Sequence, residues 1–370
     1  MKSIKHDSSH QKLIDQKGKH LLSRISSKDK KVIIQSALDF SVRMHEGQKR
    51  KSGLPYVSHC IDVANILLDW NMDYTTIISA LLHDVVEDTD VSLEDIDKEF
   101  GSDVAFLVDG VTKIDHIAFR SQQHKQAENF TKLFLSLAKD LRVIIIKFAD
   151  RLNNMETIEY LSSKKRKEIA SETKEIFVPL AHRLGMANLK WRFEDLALKC
   201  LDLRSYNGIK KKIEGSSKSN KKILESTITP VKKELESYKI HSDISGRYKS
   251  ISSINRKMKL RSKKFDEIYD LYAIRIVVDK IEECYLALGV IHSIYPPVQE
   301  RFKDFIATPK TNGYQSIHTT VMTKDNRLTE VQIRTKEMDS TAEVGVAAHW
   351  LYKGNAEMDS FDQQVPWLRD

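Results

Sequence analysis

The sequence predicts two domains in tandem, an all-α one followed by an α/β one. Three observations carry this. From about Lys28 to Leu203 apolar residues recur at helical spacing while Gly and Pro are scarce. From about Asn207 to Lys239 the chain turns polar and basic, through Lys210-Lys211-Lys212, Ser216-Ser217-Lys218-Ser219 and Lys221-Lys222. After His241 compact β-branched runs alternate with helical segments. A length of 370 residues allows two or three domains with cores of normal size.

Composition narrows the class. Hydrophobic residues at 41% and charged residues at 30% are those of an ordinary globular protein and exclude fibrous or disordered chains. No apolar run reaches the length of a membrane span, and the polar N-terminus lacks an apolar signal core. Cys60, Cys200 and Cys284 lie far apart without a CxxC, which argues against a disulfide framework or zinc–thiolate site and fits a reducing compartment. A cytoplasmic, membrane-free protein is expected. The net charge of +8 favours anionic partners such as nucleotides or nucleic acid without selecting among them.

Taken in order, residues 1–27 are polar and weakly patterned, and are expected to form a ragged, partly helical lead-in. Val32, Ile33, Ala37, Phe40 and Met44 set a helical face, as do Ile61, Ala64, Ile66, Leu67 and Leu68. Pro55 is placed to open the helix that carries His59. Ala80-Leu81-Leu82-His83-Asp84-Val85-Val86-Glu87-Asp88 reads as one buried helix, with Glu87 under His83 and Asp88 under Asp84. Val143 to Asp150 is another apolar helix ending in an acid. The basic stretch reads as a helical connection with a loop inside it, more a solvated face than a nucleic-acid site. Beyond it come three strands, Leu271–Val278, Ser316–Met322 and Leu328–Arg334, the last two joined by a turn at Lys324-Asp325-Asn326. Helices are expected over Ile281–Ile294 and Glu337–His349. The chain stops within an amphipathic pattern, so a further segment is expected beyond it.

Two sets of residues carry chemistry. Three separate apolar helices each deliver His or Asp: His59, the His83-Asp84 pair and Asp150. Buried imidazoles and carboxylates need partners or a metal. Two of each suit Mn²⁺, Fe²⁺ or Zn²⁺, and ligand type does not choose among them. In the second half, Asp270 and Glu330 each lie on an expected strand, where paired acids can hold Mg²⁺. Arg247, Lys249, Lys257, Arg301 and Lys303 can neutralise a triphosphate, as phosphoryl transfer demands. Gly313 allows close backbone approach, and Tyr314 offers a stacking face for a base.

The first set resembles the HD-type metal-dependent phosphohydrolase pattern. Its surroundings are narrower: Arg50-Lys51-Ser52-Gly53, Pro55-Tyr56, His83 to Thr89, Gly110-Val111-Thr112-Lys113 and Ala149-Asp150-Arg151-Leu152-Asn153-Asn154-Met155 resemble the hydrolase domain of long RelA/SpoT-type alarmone synthetase/hydrolases. The likeness runs from about Lys28 to the chain end. It implies removal of the 3′-pyrophosphate of guanosine tetra- or pentaphosphate, with Mn²⁺ on His59, His83, Asp84 and Asp150. Glu87 and Asp88 would orient or deprotonate the attacking water, Arg50 and Lys51 would hold the pyrophosphate, and Asn154 would bind the nucleotide or the metal shell. The chain departs from the family at Asn153, commonly His there, and at Leu54 and Cys60, commonly an acid and a proline.

Gly246-Arg247-Tyr248-Lys249-Ser250, Arg301-Phe302-Lys303-Asp304, Thr308 to His318 and Glu330-Val331-Gln332-Ile333-Arg334 resemble the same family's synthetase domain, which is nucleotidyltransferase-like. That likeness implies transfer of pyrophosphate from ATP to the 3′-hydroxyl of GDP or GTP. ATP would lie on Arg247, Lys249, Lys257, Arg301 and Lys303. Mg²⁺ would lie on Asp270 and Glu330, with Glu330 also activating the hydroxyl. The guanine nucleotide would lie on Lys310, Asn312, Tyr314 and His318. The expected organisation is a lead-in (1–27), an HD-type hydrolase (28–203), a helical connection (204–240), a synthetase (241–355) and the start of a further segment (356–370). The expected protein is a bifunctional stringent-response enzyme. The alternative is a hydrolase alone with a nucleotide-sensing second domain. Ribosome contact is expected only through a region beyond this chain.

Overall fold

The computed structural model describes residues 2–112, 131–132, 135–137, 139–215, 217–262, 264–265, 272–324 and 326–345. These fall into two compact units that divide after Ser162. Lys113, Asp270, Leu271, Asp325 and residues 346–370, which carry part of the expectations above, lie outside the described residues, as does the side chain of Arg247.

The first unit is helical: α1 (Lys2–Ser23), α2 (Lys28–Met44), α3 (Val57–Asp69), α4 (Tyr74–Leu82), α5 (Val85–Asp88), α6 (Leu93–Phe100), α7 (Ser102–Val111) and α8 (Arg142–Glu156). Local signals start several of these. The Ser27 and Asp73 side chains cap α2 and α4, and a Ser92–Asp95 capping box opens α6. The helix α8 is different. Its Val143-Ile144-Ile145-Ile146 run is poor in helix propensity, yet all four side chains are fully buried, and burial overrides propensity. The helix α3 packs against α1, α4 and α8, so three apolar helices bring their polar ends together.

Two expectations change here. Residues 2–23 form one continuous helix, tied to α3 by Lys17–Asp62 and Arg24–Asp69 ion pairs and by burial of Leu21 and Leu22. The stretch around His83 is also not one helix. The helix α4 ends at Leu82, His83 and Asp84 form a corner, and α5 is a single turn. The Asp88 N–H still donates to the Asp84 carbonyl at 2.9 Å, so that four-residue spacing survives the break. Pro55 precedes α3 by two residues, and its carbonyl accepts the Ser58 N–H.

The second unit begins with helices: α9 (Ser163–Glu172), a π-turn (Thr173–Phe177), α10 (Val178–Arg183), α11 (Ala187–Leu201), α12 (Leu203–Gly215) and α13 (Ser217–Ser237). The remainder alternates β1 (Ser242–Tyr248), α14 (Ile251–Arg261), β2 (Tyr272–Val278), α15 (Ile281–Ile294), β3 (Lys303–Asp304), β4 (Ile317–Met322), β5 (Leu328–Thr335) and α16 (Lys336–Val344). Strand order is β1-β2-β5-β4-β3, with β2 and β5 parallel and the other neighbours antiparallel. The strand β1 has no counterpart in the sequence reading, because Ser-Asp-Ile-Ser-Gly-Arg-Tyr lacks a β-branched run.

Period-two alternation divides the sheet into two faces. Ile274, Ile276, Val278, Val331 and Ile333 pack with α13 and α15 into the core. The register sets Arg275, His318 and Gln332 in one row across the opposite face, and Glu330 and Arg334 flank Gln332 along β5. A polar face of this kind on a central strand is where the chemistry gathers.

Periodicity places the domain division after Leu203, whereas the compact units divide after Ser162. Spacing along one helix does not tell which body the helix packs on. The helix α11 packs against α14 and α16, and its Asp195 accepts the backbone N–H of Ile251 and Ser252 at the start of α14. Among the described residues no helix is long and apolar enough to cross a membrane.

Candidate active sites

In the first unit the four expected ligands converge. His59 Nε2 stands 3.2 Å from Asp150 Oδ1 and 3.7 Å from Asp84 Oδ2. His83 Nε2 stands 3.3 Å from Asp84 Oδ1. The imidazoles meet edge to face at 5.3 Å between centroids. Both rings are buried, and each is fixed through its other nitrogen: His83 Nδ1 is 2.7 Å from the Ala80 carbonyl, and His59 Nδ1 is 2.7 Å from Asn153 Oδ1. Anchoring Nδ1 so that Nε2 faces inward is how metal-ligating histidines are oriented. His83 Nε2 is buried and has no hydrogen-bond partner among the described residues. Ligand atoms of His59, His83 and Asp150 all lie within 4.8 Å of one another, as do those of Cys60, His83 and Asp84. This donor set fits a divalent cation.

Electrostatics agree with the geometry. Burial opposes ionisation of Asp150 and Asp84, but His59, His83 and Lys147 hold both carboxylates below their ordinary range. Burial opposes protonation of His59 too, and the Asp150 hydrogen bond and charge outweigh it, so its pKa is raised. Asp88, at the rim, goes the other way: partial desolvation and the charges of Asp84 and Glu87 raise it. Glu87 is half-buried on the same turn.

A tight turn supplies the cationic rim. Arg50 N–H donates to the Leu54 carbonyl, Gly53 N–H donates back to Arg50, and Gly53 adopts φ +83°, which favours glycine. Lys51 is exposed on this turn. Arg50 reaches inward, donating from Nη1 to Asn153 Oδ1 (3.1 Å) and from Nη2 to Asn154 Oδ1 (2.5 Å). Asn154 Nδ2 donates to Asp150 Oδ1. The sequence reading assigned no role to Tyr56, whose hydroxyl donates to Asp84 Oδ2 at 2.9 Å, or to His45, stacked on Tyr56. Neither residue sits at a ligand spacing, and although Pro55-Tyr56 belongs to the family resemblance, no role was attached to it.

In the second unit Glu330 lies on the polar face of β5. It accepts from Lys249 Nζ (2.5 Å) and Gln332 Nε2 (2.9 Å), with His318 Nδ1 at 3.5 Å. Burial alone would raise its pKa, but these donors hold it well below the ordinary carboxylate range. Gln332 Oε1 accepts in turn from Arg334, and His318 Nε2 is 2.8 Å from the Tyr314 hydroxyl. Lys310 Nζ lies 4.9 Å from the Tyr314 ring centroid, and Arg334 lies 5.9 Å from it.

A pocket opens beside this network, lined by Lys310, Tyr314, His318 and Arg334 together with Lys190 and Trp191 of α11. Burial and then neighbouring lysines lower the pKa of both Lys310 and His182. Trp191 and Lys190 were not anticipated, because helical spacing alone places α11 in the preceding domain. Asn312 serves the loop itself, donating to the His182 carbonyl and accepting from Tyr314 N–H. Lys257 is half-buried on α14, Arg301 is half-buried in the turn before β3, and Lys303 is exposed on β3 opposite His318.

The HD domain family matches residues 37–187, and a region found in RelA/SpoT proteins matches residues 246–357. The chain belongs to the RelA/SpoT family. HD domains are metal-dependent hydrolases, in keeping with the His–Asp cluster. This RelA/SpoT chain is 46% identical over 343 residues to a probable guanosine-3′,5′-bis(diphosphate) 3′-pyrophosphohydrolase of Synechocystis sp., covering 91% of this chain and 45% of that protein. It is 44% identical over 319 residues to the bifunctional (p)ppGpp synthase/hydrolase SpoT of Escherichia coli, covering 86% and 45%. A solved structure of a metazoan ortholog of SpoT is 29% identical with a TM-score of 0.36, covering 46% of this chain and 95% of that one. The chain spans about half the length of the curated relatives it matches.

Proposed function

We propose that this chain carries both alarmone reactions: hydrolysis of the 3′-diphosphate of (p)ppGpp in the first unit, and its synthesis from ATP and GDP or GTP in the second. For hydrolysis, His59, His83, Asp84 and Asp150 hold Mn²⁺. The cation, when bound, acidifies a water and neutralises diphosphate charge. Asp88, whose raised pKa suits a proton acceptor, and Glu87 orient and deprotonate the attacking water. Arg50 and Lys51 bind the diphosphate, and Asn154 aligns the nucleotide beside Asp150. The observation that carries this reading is His83 Nε2, buried without a hydrogen-bond partner among the described residues and 3.3 Å from Asp84 Oδ1.

For synthesis, the 3′-hydroxyl of the guanine nucleotide loses its proton and attacks the β-phosphorus of ATP. The bond between the α–β bridging oxygen and that phosphorus breaks, and AMP leaves. Glu330, with Asp270, would hold Mg²⁺ and help activate the hydroxyl by accepting its hydrogen bond, the proton passing to solvent. Arg247, Lys249, Lys257, Arg301 and Lys303 hold the triphosphate. Lys310, Asn312, Tyr314 and His318 hold the guanine nucleotide, with the base on the Tyr314 ring. The basic, aromatic pocket beside Glu330 supports this reading.

Degradation and synthesis assayed separately on wild type, Asp84→Ala and Glu330→Ala test both halves. Asp84→Ala is expected to lose degradation alone, by at least about 10²-fold for a lost metal ligand, and Glu330→Ala to lose synthesis alone. Either substitution abolishing both reactions in a folded protein overturns the two-site assignment.

A further inference from the structure

Five side chains at the rim of the His–Asp pocket close a ring. His59 Nδ1 meets Asn153 Oδ1 (2.7 Å), Asn153 Oδ1 accepts from Arg50 Nη1 (3.1 Å), and Arg50 Nη2 donates to Asn154 Oδ1 (2.5 Å). Asn154 Nδ2 donates to Asp150 Oδ1 (2.5 Å), which returns to His59 Nε2 at 3.2 Å. We propose that Asn153 is a positioning residue that sets the tautomer of His59 and the aim of Arg50 together. The inference rests on the reading of this pocket as a cation site.

The assignment follows from donor and acceptor chemistry. A guanidinium has donors only, so the amide atom facing Arg50 must be the Asn153 oxygen. That oxygen also faces His59 Nδ1, so Nδ1 must carry the proton. Nε2 is then the nitrogen that faces Asp84 and Asp150, where a bound cation would take the place of any proton it carries. Asn154 is fixed in the same way, its oxygen toward Arg50 and its nitrogen toward the Asp150 carboxylate, which only accepts. Asn153 is itself buried, 6% exposed, so water does not readily replace its oxygen. A reversed amide would face Arg50 with a second donor and turn His59 to the tautomer that carries its proton on Nε2. Two of the five guanidinium N–H groups are engaged by the asparagines, which locks the fork while leaving other donors for a diphosphate.

The test uses the full chain. Long-range ¹H–¹⁵N spectra should show His59 Nδ1 protonated in the metal-free protein, and still protonated, with Nε2 proton-free, once Zn²⁺ is added as a diamagnetic cation. Mn²⁺ titration followed by EPR, without substrate, should show Asn153→Leu binding roughly 10- to 100-fold more weakly than wild type, as for other residues that orient metal ligands. Asn153→Asp, which keeps an acceptor, should stay within a few-fold of wild type. The KM for (p)ppGpp hydrolysis should rise in Asn153→Leu and not in Asn153→Asp, with synthesis unchanged in both. An Nδ1 without a proton in the wild type, or equal Mn²⁺ affinity in a folded Asn153→Leu, overturns the inference and leaves the cation site standing. Failure of the wild type to bind Mn²⁺ overturns the cation site and the inference with it. Should Asn153→Leu not fold, the wild-type spectrum and the Asn153→Asp affinity still decide.

Discussion

The Tyr56 hydroxyl is a neutral donor to a charged group of the pocket. Burial and then the Asp84 carboxylate push its pKa upward, so it stays a donor to Asp84 far into the alkaline range. Tyr56→Phe removes one hydrogen bond to an ionised acceptor, a contribution of roughly 1.5–3 kcal/mol. Urea unfolding of the metal-free variant should show a loss of that size. Glu330 makes a second residue-scale prediction, on pH. Its pKa is depressed on folding, so its contribution is whole above the ordinary Glu value near 4.3 and is lost as pH falls below it. Burial lowers His318, so the unfolded chain gains a proton near pH 6.5 that the folded chain resists, and stability again falls on acidification. Urea titrations from pH 8 to 4 should show stability declining first below about pH 6.5 and again below about pH 4.5. Glu330→Gln should flatten the lower step, and a flat profile in the wild type would contradict both assignments. The thiols add a third. Cys60 and Cys284 are buried and Cys200 is half-buried, with burial pushing Cys284 up to about 12. Alkylation of the native chain should therefore label Cys200 first, and prior labelling of Cys60 would show the pocket wall to be open.

Elements show where sequence patterns carry information and where they stop. The Val143–Asp150 run was legible as a buried helix because no polar residue interrupts it before Lys147, and β2, β4 and β5 were legible from their β-branched runs. The corner at His83-Asp84 was not, since every residue from Ala80 to Asp88 is compatible with a continuous helix. The break arises where both side chains turn toward the pocket. The His and Asp side chains that converge were legible as polar residues set in apolar helices. Tyr56, His45 and the bonds of Asn153 were not, because they depend on contacts between elements distant in the chain. Glycines separate the same way. Gly53 and Gly345 both have positive φ, but a Cβ on Gly53 would meet nothing within 4 Å, whereas one on Gly345 would come 2.2 Å from the Leu184 carbonyl oxygen and 2.7 Å from the Met186 nitrogen. Gly53→Ala should cost only the backbone term, about 1–2 kcal/mol. Gly345→Ala should cost distinctly more, because two backbone segments must part. Thermal melts of the two variants measure the difference.

At the scale of the whole molecule, the change of period falls near His241, whereas compact packing divides the chain after Ser162. The helices α9 to α11 have the spacing of the preceding helices, yet they pack with the unit that carries the sheet. The strand order has its own consequence for how that unit is made. The last strand in sequence among the described residues, β5, lies inside the sheet between β2 and β4, and its partner Ala273 stands opposite Glu330 from far back in the chain. Until Leu328–Thr335 is in place, β2 and β4 each present a bare row of N–H and C=O groups. Such open edges recruit strands from other molecules, and distant pairings close slowly. Biogenesis of this unit therefore has a vulnerable interval that ends only with synthesis of β5, and a chain terminated before Leu328 should precipitate rather than accumulate as a soluble fragment.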